Sequence, residues 1–276
     1  MLSECGFPLE PTQRSKVRIA NSLPIAAVLA HPDDLKCVLG TVLRAQEEGS
    51  STSLILLTRG EALGSAARSS LSPLEMGELR MAELRRFLDQ VGIPQRNLLL
   101  IGVPDGSQTL PALRDDFFRA AGHPFLDPLL QTDRVTYQDA VQPGLPFYGE
   151  QLLASIQGIL AALQPQLVLT HHPQDDHADH RAVSFFARRA CRRLSGRRPA
   201  LYATLVYYRR HPWPPAGDYF YSEPIAQSFP WLRAEQFCLT ERQWSIKQQA
   251  SRTFSPTLSV EYIQSYMKKD EVLWRL

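Results

Sequence analysis

The chain has 276 residues, 30 Lys and Arg against 28 Asp and Glu, a formal charge of +2, and 44% hydrophobic residues. This is ordinary globular composition with enough length for a sizeable core, and its charge is too even for a nucleic-acid coat, so no nucleic-acid partner is expected. No apolar run reaches the ~18 residues of a membrane span and no basic-then-apolar leader opens the chain; the expectation is no integral membrane segment and a cytoplasmic location. Cys5, Cys37, Cys191 and Cys238 are widely spaced without a C-x-x-C pair and read as reduced thiols.

Residues 1–22 are polar and aperiodic and read as an N-terminal arm. Residues 25–30, IAAVLA, are a short apolar run suited to a buried strand. A helix over about 36–48 and a second strand over 52–58 follow. Ser72, Pro73 and Glu75 form a capping signature ahead of Leu74, Met81, Leu84, Leu88 and Val91, which predicts a helix over 72–91. Strand three falls at 97–101.

From about 103 to 148 periodicity fails, and this stretch reads as a long irregular insertion. A helix returns over 150–163, a strand over 166–170, a helix over 178–194 and a strand over 201–208. The tail carries a strand at 236–239 and two helical stretches. Strands alternating with helices imply an α/β fold: a Rossmann-like, mostly parallel sheet with helices on both faces, in a single domain over 23–276.

Two clusters fall at the carboxyl ends of predicted strands, where such sheets bind ligands. One is Ala30-His31-Pro32-Asp33-Asp34; the other runs from His171 to His180 as HHPQDDHADH. Together they hold five of the seven histidines. Imidazoles plus a carboxylate make a three-ligand zinc set that leaves a position for water. His31 and Asp34, three apart, can face one ion, and His180 supplies the third ligand. Asp33, beside but off the metal, can take a proton from water. His177 can act as acid and oxyanion stabiliser as an imidazolium, and Asp179 can hold it in its tautomer and charged form.

These motifs resemble the LmbE-like, or PIG-L, family of zinc-dependent N-acetylglucosaminyl deacetylases. The A-H-P-D-D of residues 30–34 and the H-x-D-H of residues 177–180 carry the resemblance, supported by the helix around Arg80. It implies metal ligands His31, Asp34 and His180, base Asp33, acid His177 and orienting Asp179. It also implies substrate contacts from Arg80 and, through the Val103-Pro104-Asp105-Gly106 turn, from Asp105. Leu35 stands where many members have Glu. The implied activity is a metal-dependent amidohydrolase: one Zn2+ per chain, or another divalent metal, and removal of an N-acyl group, acetyl first, from a small amino-sugar conjugate. The alternatives are a metallophosphoesterase, whose sites hold two metals, and a catalytically silent sugar- or metal-binding module. A basic face of α-helical residues 181–198 reads as solvated, or as a seat for an anionic partner.

Overall fold

A computed structural model of the chain describes residues 24–62, 70–106, 108–118, 123–208, 217–220 and 228–276. The predicted arm, Cys5, His211, Trp213 and Tyr221 lie outside the described residues.

A seven-stranded sheet runs in the order β3-β2-β1-β4-β5-β7-β6. Its strands are β1 (Ile25–Leu29), β2 (Thr52–Leu56), β3 (Leu98–Leu100), β4 (Leu167–His171), β5 (Ala200–Thr204), β6 (Arg233–Cys238) and β7 (Asp270–Arg275). The first five are parallel, and β7 and β6 close one edge antiparallel. The mostly parallel sheet is therefore as expected. β7 is the strand the sequence conceals: its six residues open on two acids and are too short for a periodic signal.

Helices α1 (Leu39–Glu47), α2 (Pro73–Gln90), α3 (Thr109–Asp115), α4 (Gly149–Leu163), α5 (Ala178–Arg193), α6 (Glu241–Ser251) and α7 (Val260–Ser265) cover both faces. Alternation along β1 explains the two layers. Ile25, Ala27 and Leu29 pack with side chains of α1 and α2 on one face. Ala26 and Val28 pack with those of α3, α4 and α5 on the other. Ser72 caps α2 with the anticipated capping box. The expected helix over 36–48 divides into a 3-10 turn, Asp34–Cys37, and α1. The turn sets Asp34 beneath the end of β1. Buried Glu271 of β7 accepts the N–H groups of Gly40 and Thr41 at 2.6 and 2.9 Å, which anchors the start of α1. Among its described residues the insertion contains one helix, α3, in an otherwise irregular course.

Strand order reverses between β1 and β4, the point at which a doubly wound sheet opens a crevice at its carboxyl edge. The two histidine-rich clusters follow these two strands. Among the described residues no helix is long and apolar enough to cross a membrane. Cys37 and Cys191 are free and buried.

Candidate active site

Three atoms converge at the crevice. His31 Nδ1 lies 3.1 Å from His180 Nε2 and 3.3 Å from Asp34 Oδ2, and the last two are 3.5 Å apart. A tetrahedral ion with bonds of about 2.0–2.1 Å holds its ligand atoms roughly 3.3 Å apart. The triangle has that edge length, so the residues present fit a small divalent cation. The electrostatics fit as well. Burial resists charge on Asp34, yet His180, His171 and His31 hold its carboxyl well below the usual range. Burial also resists charge on His180, but Asp175 and Asp34 raise it to about 9. The pocket attracts positive charge, and two facing imidazole nitrogens can share only one proton between them.

Each outer imidazole nitrogen meets a carboxylate. His31 Nε2 lies 3.1 Å from Asp105 Oδ1 and 3.5 Å from Asp179 Oδ2. His180 Nδ1 lies 3.1 Å from Asp175 Oδ1. Carboxylates behind imidazoles fix the ring and leave the inner nitrogen as a lone pair. Buried Asp175 also accepts from the backbone N–H of His177 (2.9 Å), Val206 (2.7 Å) and Tyr207 (3.1 Å), so one side chain ties the β4 loop to the β5 loop. The ring of His171 stacks on His180 at 3.8 Å, and its Nε2 accepts the Ala30 N–H at 3.0 Å. Burial and His180 push His171 down to about 4, which keeps that nitrogen an acceptor.

Asp33 is gripped by two cations. Lys36 Nζ donates to its Oδ2 at 2.6 Å, and Arg80 donates to its Oδ1. Burial would raise the Asp33 carboxyl, but Lys36 and Arg80 hold it below its ordinary value. Lys36 has no solvent exposure and lies over the rings of Tyr266 and Tyr262 at 4.5 and 5.0 Å. Arg80 does not pair with its helix neighbour Glu83, which takes a hydrogen bond from Thr257. It reaches Asp33 and the Gly60 carbonyl (3.3 Å) while still lining the cleft.

His177 and Asp179 are placed together but not as expected. His177 Nδ1 accepts the Asp179 backbone N–H at 3.3 Å and so caps α5, whereas the Asp179 carboxylate is 3.9 Å from that nitrogen and closer to His31. Burial, His31 and His180 push His177 down to about 3. In the metal-free chain this favours the neutral ring, with Nδ1 as the acceptor of the Asp179 N–H. Tyr207 stacks beside His177 and His180 at 5.7 and 5.6 Å, and its hydroxyl meets that of Tyr262 at 2.7 Å. A cleft of about 490 Å³ opens here, lined also by Ala62, Gly106, Thr257, Ser259 and Tyr262.

Reasoning from the sequence missed Lys36, Asp175, Tyr207 and Tyr262. Lys36 left a signal in its i,i+3 spacing to Asp33 within an apolar run. Asp175 left none, being one of two adjacent aspartates. Phe220 is buried in a core cluster with Phe229 and Trp274. His172 is likewise structural, lying between Phe229 and Trp274.

A 1D-myo-inositol 2-acetamido-2-deoxy-alpha-D-glucopyranoside deacetylase of Segniliparus rotundus is 32% identical over 164 residues, which cover 55% of this chain and 45% of that protein. The chain thus spans just under half the length of this curated relative. An N,N'-diacetylchitobiose deacetylase from Pyrococcus horikoshii, solved with its inhibitor MPG, superposes with a TM-score of 0.59 at 13% identity, over 92% of this chain and 84% of that one. A deacetylase of teicoplanin biosynthesis, solved with teicoplanin, gives 0.57 at 17% identity, over 91% and 97%. At these identities the solved structures establish the fold. The model of the PIG-L family, GlcNAc-PI de-N-acetylase, matches residues 26–191, more than half the chain and both histidine-rich clusters, and the chain belongs to that family.

Proposed function

We propose that the chain is a divalent-metal amidohydrolase, with zinc the expected ion, that removes the N-acetyl group from a small amino-sugar conjugate. The observation that carries this reading is the 3.1–3.5 Å triangle of His31 Nδ1, Asp34 Oδ2 and His180 Nε2, with an ionised Asp33 beside it. A cation held by these three residues supplies Lewis acidity and lowers the pKa of a water towards about 7.

The remaining steps fall to the chain's own side chains. Asp33, kept ionised by Lys36 and Arg80, accepts a proton as water adds to the amide carbon. His177, with Nδ1 occupied by the Asp179 N–H, presents Nε2–H as a neutral donor to the developing oxyanion. The proton on Asp33 then passes to the leaving nitrogen as the C–N bond breaks, which releases acetate and a free amine. In this reading His177 steadies the oxyanion and Asp33 carries the proton, with His177 as acid the alternative assignment. Asp105 acts behind His31, and Arg80 behind Asp33.

The names of the relatives support an acetylated amino-sugar substrate. The test is incubation of the zinc-loaded protein with a panel of N-acetylglucosaminyl conjugates, with released primary amine and acetate both quantified. Equal yields of the two, lost on chelation and in Asp33→Asn, support the reading. Absence of amine release from every conjugate, or release that chelation leaves untouched, contradicts it.

A further inference from the structure

Far along the insertion from Asp105, Tyr137 reaches towards the active-site end of the sheet. Its hydroxyl donates to Glu61 Oε1 at 2.5 Å. The Arg59 guanidinium covers its ring at 4.0 Å and pairs with Asp139 of the insertion and with Glu78 of α2. On the far side the backbone at Gly102 has φ +84°, and a Cβ built there would meet Tyr137 Cδ2 and Val135 Cγ1 at 3.1 Å. Val141 N–H donates to the Leu100 carbonyl at 2.7 Å, which fastens the segment to the end of β3. Tyr137 is thus packed against both Arg59 and the Gly102 turn.

The contact leads inward. Glu61 is 3% exposed, and its Oε2 accepts the backbone N–H of Asp105 at 3.1 Å. Asp105 turns its own carboxylate to His31, with Oδ1 3.1 Å from Nε2, while Oδ2 accepts the Ala62 N–H at 3.2 Å. The order Tyr137, Glu61, Asp105, His31 is an unbroken series of hydrogen-bonded groups from the insertion to the triangle. A carboxylate on the outer nitrogen of an imidazole sets the ring's rotation and tautomer, and removing such a partner typically costs ~10–100-fold in metal affinity. Asp179 meets the same nitrogen from farther off, at 3.5 Å.

We propose that Tyr137 is a positioning residue: acting through Glu61 and Asp105, it lets the insertion orient His31 for the cation. This rests on the reading of His31 as a ligand. The Glu61 carboxylate is spent on this task, with one oxygen on the insertion and the other on the Asp105 backbone.

The experiment measures zinc affinity of the full chain by competition with a chromophoric chelator, alongside thermal melting of the zinc-free protein. Tyr137→Phe removes the hydroxyl and keeps the ring under Arg59; zinc binding is expected to weaken about 10-fold, the lower end of that range. Glu61→Ala, one link nearer, weakens it at least as much. In an Asp105→Ala background, Tyr137→Phe is expected to leave zinc affinity unchanged while still lowering the melting temperature, because the bond to Glu61 is lost in both backgrounds. A merely structural role moves melting and leaves affinity alone. Unchanged affinity in Tyr137→Phe, in a wild type that binds one zinc, overturns the proposal and leaves the ligand reading standing. An equal loss of affinity with and without Asp105 overturns it too. A wild type that binds no zinc overturns both.

Discussion

Replacing Lys36 by Met removes an ammonium and leaves a side chain of similar length. Lys36 Nζ donates to Asp33 Oδ2 at 2.6 Å and to the Asp33 carbonyl at 3.1 Å, with no solvent to replace it. Deleting one member of a buried pair typically costs ~3–5 kcal/mol. Arg80 remains on the other oxygen, which puts the expected loss near the low end, about 3 kcal/mol. That is a large share of a typical total of ~5–15 kcal/mol. With a urea slope of ~3 kcal/mol/M it lowers the unfolding midpoint by about 1 M. A second effect follows from the same contact, since an opposite charge this close lowers a carboxyl pKa by ~1–3 units. The base must be ionised to work, so activity falls as pH drops through its pKa. Losing Lys36 raises that pKa, and the acid limb of kcat/KM moves up by about 1–3 units. Urea unfolding of the metal-loaded protein and a pH-rate profile test the two effects. A midpoint within ~0.3 M of wild type together with an unmoved acid limb refutes the reasoning.

Asp33→Asn keeps the shape and removes the proton acceptor; turnover is expected to drop by ~10²–10⁴ with metal content unchanged, and metal analysis beside a single-turnover assay checks both. Gly60 has φ +76°, and a Cβ there would overlap Arg80 Nη1, so Gly60→Ala displaces Arg80 from Asp33. It is expected to lower both stability and kcat, and wild-type values for both would show that Arg80 is not held by that loop. His180, raised to about 9 from its ordinary 6.5, stabilises the metal-free fold fully below pH 6.5, and its contribution is lost as pH rises through about 9. Coordination uses the neutral imidazole, so the loaded protein lacks this decline. Calorimetry from pH 6.5 to 10 with and without chelator checks it, and parallel curves contradict it.

The parts legible in the sequence were those coded locally. The capping box at Ser72 and the apolar run of β1 announced their elements, and the clusters at residues 30–34 and 171–180 announced the site because parallel strands end at a shared edge. What stayed hidden depends on contacts between distant segments. Arg80 meets Asp33 across 47 positions, and no spacing rule predicts such a pairing. Asp175 differs from its neighbour Asp176 only in burial, which the fold decides. β7 becomes a strand because β5 and β6 offer it hydrogen bonds on both sides. Asp179 and His177 sit in one short motif, but the helix start that brings them together gives His177 the backbone N–H in place of the carboxylate.

The most direct test of the metal triangle is the ion content of the purified chain, measured by elemental analysis after dialysis for the wild type, Asp34→Ala, His180→Ala and Asp33→Asn. The account predicts one zinc per chain in the wild type and in Asp33→Asn, and essentially none in the other two. Two ions per wild-type chain, or stoichiometric metal retained without His180, would contradict it.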